Sequence, residues 1–408
     1  MKKILLILLT AFLAVSCGCS QKEVTEIDYS DTYVENQDFQ YNFCDKDTSR
    51  FIIQKCDDGY YFKFDSFLYF VDEKNMSVNP LCNKSDCLHD KETTVIKQTE
   101  CTAYLSESIL NSDFFYYNDH IYSFNDESYV EEESNEWIIL NSIYKTDADG
   151  TNKEKVFTID KEIKTWFIHR NIIYYTCAEN NLVIGYDLSS NKAETVLDLD
   201  SFGLFNTTLD NMLAYGNNLY FGISGFESEE EFNKMVAGED ISPYEFYYVL
   251  NIIDNTSYEI SSSLSGSIIV FEGFENDCFL YSEADYDNKN SPKTLYSVKN
   301  KAVKTQLDFK YENLFERYYS DNRFIYVKKA ETIDDLENNI FEVYDKNNKQ
   351  VAKIDFPDGF ANNFYLGDNN YLFYFEGTNK GERLYYLSKE NLAKGDTNLN
   401  LLFESKNT

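Results

Sequence analysis

Histidine is almost missing from this chain: His89, His120 and His169 are the only three in 408 residues. No H-E-x-x-H, G-x-S-x-G, Walker loop or dinucleotide fingerprint occurs, so the motifs that mark zinc peptidases, serine hydrolases and nucleotide enzymes are excluded. Proline is scarce at 4 and glycine is only 16, whereas Tyr and Phe number 34 and 32. A chain so poor in turn-breaking residues and so rich in aromatics is not a disordered one. Positive charge is also short, with 37 Lys and Arg against 70 Asp and Glu, a formal net charge of −33. That balance repels nucleic acid and anionic lipid headgroups. It leaves divalent cations, basic proteins or peptides, and neutral ligands such as glycans as partners. After the first residues no apolar run approaches the roughly 20 residues of a membrane-spanning helix.

What is present begins at the N-terminus. Lys2 and Lys3 precede an apolar run from Ile4 to Val15, the layout of an export signal over residues 1–16. The stretch "LAVSC" resembles a bacterial lipobox, which implies cleavage before Cys17, lipidation of that cysteine, and a protein held to the outer face of the cytoplasmic membrane by its lipid alone. Cys19 is less well placed, since Ser16 stands where an aliphatic residue is usual. Residues 17–45 are mostly polar and acidic and read as a tether.

From 46 to 408 one unit recurs. A turn rich in Asn and Asp leads into an aromatic strand, as in "DGYYFKF", "DHIYSF", "RNIIYYT", "NNLYFGI", "DCFLYSE", "NRFIYVK" and "NNYLFYFE". A second strand follows each, among them "SIYKTDADG" and "FEVYDKNNK", with further apolar stretches before and after. Tyr61, Tyr122, Tyr174, Tyr220, Tyr281, Tyr326 and Phe373 serve as equivalent anchors. Four short strands per unit, alternating apolar and polar positions, predict an all-β, seven-bladed β-propeller of four-stranded antiparallel blades. One blade cannot bury both of its faces alone, so the seven must stack around an axis.

The hairpin "IYKTDADGTNKEKVF" resembles those of TolB-like lipoprotein propellers. The whole pattern, a lipobox, tyrosine-rich repeats and "LCNKSDCLH" after the first repeat, is similar to surface lipoproteins of Gram-positive anaerobes. The resemblance implies architecture and location, and no particular chemistry.

With strands labelled a to d outward from the axis, the a–b and c–d turns are tight. The long connections are b–c loops: 125–137, 225–246, 283–293 and 328–339. A cysteine-rich insert at about 82–112 occupies a d–a crossover. All of these leave the same face of a propeller, where long loops on a rigid scaffold concentrate function. The loops are acidic and carry Tyr129, Trp137, Phe226, Phe232, Tyr244 and Tyr286, a mixture suited to a sugar or a basic peptide.

Within the insert Cys82, Cys87, His89 and Cys101 are spaced C-x4-C-x-H-x11-C. They supply the donor types and number of a structural zinc site, and in an exported protein the cysteines serve a disulfide equally well. A Cys44–Cys56 bridge is a further pairing, with Cys177 and Cys278 as lone strand cysteines. The function expected is a non-enzymatic binding or interaction module working through the acidic, insertion-bearing face. The alternative is a propeller carbohydrate-active enzyme with a carboxylate pair near the axis.

Overall fold

Two-residue turns with both backbone φ angles positive organise the inner half of blades 2, 3 and 5. Asn118–Asp119, Arg170–Asn171 and Asn276–Asp277 all adopt this conformation, which matches the right-handed twist of the strands it joins. In a computed structural model these hairpins and their counterparts in the other blades extend into seven four-stranded antiparallel sheets, each ordered a-b-c-d from consecutive strands. Residues 27–44, 52–64, 66–91, 98–105, 114–131, 137–178, 181–239, 241–261, 267–285, 294–299, 303–310, 316–330, 339–357, 361–378 and 381–405 are described. Blade 1 spans residues 53–80, blade 2 114–159, blade 3 163–198, blade 4 205–261, blade 5 267–310, blade 6 317–355 and blade 7 361–404. The seven-bladed propeller is therefore the architecture. Among the described residues no helix is long and apolar enough to cross a membrane.

Aromatic side chains fill the joints between blades. Tyr220 of blade 4 stacks on Phe279 of blade 5 at 4.9 Å, and Phe356 meets Tyr374 of blade 7 at 4.2 Å. Such pairs contribute about 0.5–1.5 kcal/mol each beyond their buried area. The period-two alternation expected of every strand is absent from strands in both the inner and the outer half of a blade. Strand b of blade 1 (Gly59–Phe64) is buried at every position but Lys63, because blades flank it on both faces. Strand d of blade 3 (Lys192–Asp198) is buried only at Leu197.

Six of the seven anchors stand at the third residue of strand b. Tyr281 does not. Strand b of blade 5 starts at Cys278, so Leu280 occupies the equivalent place, packing toward Tyr318 and Ile325 of blade 6. Tyr281 is turned to the other face, against Tyr296 and the core shared with blade 4. A slip of one residue reverses a strand's faces, and matching Tyr to Tyr introduced that slip.

Among the described residues no strand is exchanged between the chain ends to close the ring. Blades 1 and 7 meet through side chains: Tyr60 against Phe373 at 4.9 Å, Phe62 against Phe403 at 5.3 Å, and the Tyr60 hydroxyl donating to Asp368 at 2.6 Å.

The segment expected to be a tether supplies the remaining closure, which corrects the reading of 17–45 for its described part. Residues 28–44 run across the a–b turns. They receive backbone bonds from Asn118 to Asn36, from Arg170 to Gln37 and from Gly367 to Asn42. Arg170, 1% exposed, pairs with the buried Asp38 through Nε at 2.6 Å and Nη2 at 3.1 Å. It also bonds the Asn217 side chain and the Thr32 carbonyl. Phe39 packs on Phe167 at 4.7 Å, and its N–H donates to His169 Nδ1 at 3.1 Å. Gly216 leaves no room for a side chain, since a Cβ there would lie 2.2 Å from the Asp31 carbonyl oxygen.

Candidate functional site

The cysteine insert is built against the rim of blade 1. Its return leg is held by the Leu68 N–H donating to the Ala103 carbonyl at 2.9 Å and the Leu105 N–H donating to Ser66 at 2.7 Å. The Phe67 and Tyr104 rings meet edge to face at 5.6 Å. On the outgoing leg, Leu81 lies over the hairpin of blade 2, where Gly150 at φ +81° gives it room. Between the legs the ligand atoms of Cys82, Cys87, His89 and Cys101 all lie within 4.8 Å of one another. Cys101 Sγ is 3.5 Å from His89 Nδ1. With metal bonds of about 2.3 Å to sulfur and 2.0–2.1 Å to nitrogen, a tetrahedral zinc site requires that separation to be roughly 3.5 Å. His89 reaches its position through a left-handed backbone, φ +57°, which lets one residue separate it from Cys87.

The donors are also prepared electrostatically. Burial pushes the Cys82 thiol up, but hydrogen bonds from Thr102 and the Lys84 N–H outweigh it and bring the pKa down to about 6. Cys101 is more deeply buried and is pushed up to about 12. The first thiolate thus forms before any cation adds its own attraction. This Cys3His group could bind a metal such as zinc. None of the seven described cysteines is disulfide-bonded, so neither a Cys44–Cys56 bridge nor one within the insert is formed.

The long b–c loops leave the face opposite the a–b turns, as the strand directions require. In blade 2 the loop forms a small hairpin, Tyr129–Val130 with Trp137–Ile138. In blade 4 it carries the helix Glu229–Val236, capped by Ser228. The candidate aromatics divide. Tyr129 is 49% exposed and Tyr244 42%, both open to a partner. Phe226 is buried, and Phe232 packs on it at 5.4 Å and on Phe205 at 5.5 Å. These two seat the helix, which buries no residue fully and rests on the sheet through that contact. Cys17, Tyr286, the side chain of Trp137 and part of the insert lie outside the described residues. His120 and His169 stand at a–b turns, away from the loops.

Sequence reasoning named no site residue of the axial region. Between blades 4 and 7 lies a cavity of about 200 Å³, with Tyr41 and Cys44 of the N-terminal segment among its walls. Asn211 donates to the Tyr247 hydroxyl at 2.9 Å, while its own Oδ1 is buried and accepts no bond from the protein. Burial, and after it the negative charges of Asp210, Glu245 and Glu272, holds the proton on Tyr247. Glu245 is itself pushed up to about 7 by burial and by Asp210. No local motif signals this cavity, because its walls come from blades 4, 5, 6 and 7.

No family model matches the chain, and no curated protein does. Solved structures do resemble it. The β-propeller domain of the trilobed protease from Pyrococcus furiosus aligns with 86% of this chain and 92% of its own, at 9% identity and a TM-score of 0.44. Dipeptidyl peptidase 4 from Porphyromonas gingivalis aligns with 86% of this chain at 10% identity and a TM-score of 0.47. The match spans about half the length of that peptidase, 52%. Acylaminoacyl peptidase from Pyrococcus horikoshii aligns with 68% of this chain and 44% of its own, at 14% identity and a TM-score of 0.45. These likenesses concern the propeller fold.

Proposed function

We propose that this protein is an exported, lipid-anchored recognition module whose contact surface is the insertion-bearing face, and that it acts without catalysis. One observation carries the reading. The loop hairpin, the capped helix and the cysteine insert belong to one side of the ring, whereas the other side has short turns and the N-terminal segment laid over them. The N-terminus supports the orientation, since residue 28 lies on the a–b side. An anchor at Cys17 would hold that side toward the membrane and present the loops outward. Acidic residues among exposed rings such as Tyr129 and Tyr244 suit a glycan, through stacking and hydroxyl bonds, or a basic peptide. The Cys3His group serves this surface as a structural zinc clamp, holding an insert too polar to be ordered by burial alone.

The test is a glycan and cationic-peptide binding screen on the delipidated chain, with and without chelator. It is repeated after replacing 127–140 and 227–243 by two-residue turns. Binding that survives both replacements, in a protein that still folds, would show that the contact surface lies elsewhere. Fractionation of Cys17→Ala tests the anchor separately: the variant leaves the membrane fraction or stays uncut.

A further inference from the structure

We infer that the axial cavity walled by blades 4 to 7 is a binding site for a compact, uncharged aromatic molecule that carries one N–H donor. The inference goes beyond the outer-face reading and stands whether or not a partner binds the loops.

Size and lining select the body of the ligand. The cavity, about 200 Å³, exceeds the roughly 150 Å³ that is enough to admit benzene in an engineered protein core. Rings from separate parts of the chain wall it: Tyr41 of the N-terminal segment, Tyr247 of blade 4, Phe271 of blade 5, Tyr319 of blade 6 and Phe364 of blade 7. Offset or edge-to-face contact with an aromatic guest contributes about 0.5–1.5 kcal/mol per ring beyond the buried area, a gain that an aliphatic guest does not make. No acidic or basic side chain is among the described lining residues. A charged guest would be taken out of water with no counter-charge in the wall, and that cost exceeds what the rings return.

Polarity selects the single donor. Asn211 is the one amide side chain among the described lining residues. Its Nδ2 donates to the Tyr247 hydroxyl at 2.9 Å, and its Oδ1 is buried and accepts no bond from the protein. Gly222, its neighbour across the ladder on strand b, keeps the space that the amide occupies. A Cβ at Gly222 would lie 2.7 Å from Asn211 Oδ1. A buried acceptor left open costs about 1–3 kcal/mol, so a guest that brings one N–H recovers binding energy that a plain hydrocarbon does not. An aromatic ring with a single N–H, such as an indole, uses the rings and the open acceptor together.

Calorimetry on the intact delipidated chain tests the inference with indole, its isostere indene (which has no N–H), phenethylammonium and phenylacetate. Indole should bind saturably with a Kd below about 1 mM, indene about fivefold more weakly for the lost hydrogen bond, and neither ion at that concentration. Leu213→Trp, which fills the cavity from a lining position, should abolish binding of both neutral probes. Asn211→Leu should bring indole down to the level of indene while leaving indene within about twofold. Circular dichroism and melting temperature establish that each variant remains folded, and either folded variant suffices. The inference is overturned if indole does not bind at about 1 mM, or if indene or either ion binds as tightly as indole. It is equally overturned if the affinity for indole is unchanged in a folded variant.

Discussion

Removing Asp38 should unfasten the N-terminal segment from the ring and destabilise the whole propeller. The carboxylate is fully enclosed and is the anionic partner of Arg170, which it engages through two bonds. It also accepts the Val34 N–H at 3.0 Å. In Asp38→Ala the guanidinium keeps the Asn217 side chain and the Thr32 carbonyl but has no counter-charge, and it is too deeply buried to regain water. Breaking a buried ion pair from one side costs about 3–5 kcal/mol. With about 2.1 cal/mol/K of unfolding entropy per residue over roughly 380 residues, that loss lowers the melting temperature by about 4–6 °C. Denaturant unfolding should give the same free energy, and limited proteolysis should cut within 28–44 in the variant before it cuts the wild type. The pair is then examined in a cycle. Arg170→Met alone should cost a similar amount, and the double variant Asp38→Leu/Arg170→Met should cost far less than the sum, because no charge is left buried without a partner. A loss below about 1 kcal/mol for Asp38→Ala, within the range of an exposed pair, would refute the claim that this segment closes the ring.

Three further outcomes follow from the same contacts. His169 is fully buried and its pKa is pushed down to about 4, first by burial and also by Arg170, with the Asp38 charge opposing. A base whose pKa is lowered by folding contributes stability that is complete above its unfolded value of about 6.5 and is lost as pH falls toward 4, by roughly 3 kcal/mol. The difference between wild type and His169→Gln, measured by urea unfolding from pH 7 to 4, isolates that slope from the carboxylates; parallel curves would remove His169 from the account. Metal analysis of the purified protein should find about one zinc per chain, and Cys101→Ala should abolish it and expose the insert to protease; a metal-free, protease-resistant insert would leave the clamp unsupported. Gly216→Ala should destabilise by more than the ~0.5 kcal/mol of an ordinary surface change, because φ is +54° and the new Cβ would strike the Asp31 carbonyl; an unaltered melting temperature would show that the segment can move away.

Architecture was legible because it rests on local chemistry repeated seven times. Short turns rich in Asn and Asp join the strands, left-handed at both residues in blades 2, 3 and 5, aromatic runs form the inner strands, and neither signal depends on distant residues. The cysteine group was legible for a similar reason. Four ligands within a short span can converge through local folding, and the left-handed His89 removed the doubt raised by a one-residue gap. Register in blade 5 was less secure, since Tyr281 and Leu280 are both apolar and only the pairing of Glu275 with Cys278 decides which faces blade 6.

Composition and periodicity by themselves determined that the chain is all-β, has seven units and carries its long connections as b–c loops. Those properties follow from backbone preferences and from the direction of successive strands. The tertiary structure alone decided that polar residues 28–44 are part of the scaffold, for Asp38 has no reason to be buried until Arg170 of blade 3 is beside it. It alone set Phe232 of the loop helix against Phe226 and Phe205 of the sheet, a contact between elements that the spacing does not show. It alone set Asn211 and Tyr247 of blade 4 beside Phe271, Tyr319 and Phe364 of blades 5, 6 and 7 around one cavity, since that proximity is created by ring closure and leaves no trace in the spacing along the chain.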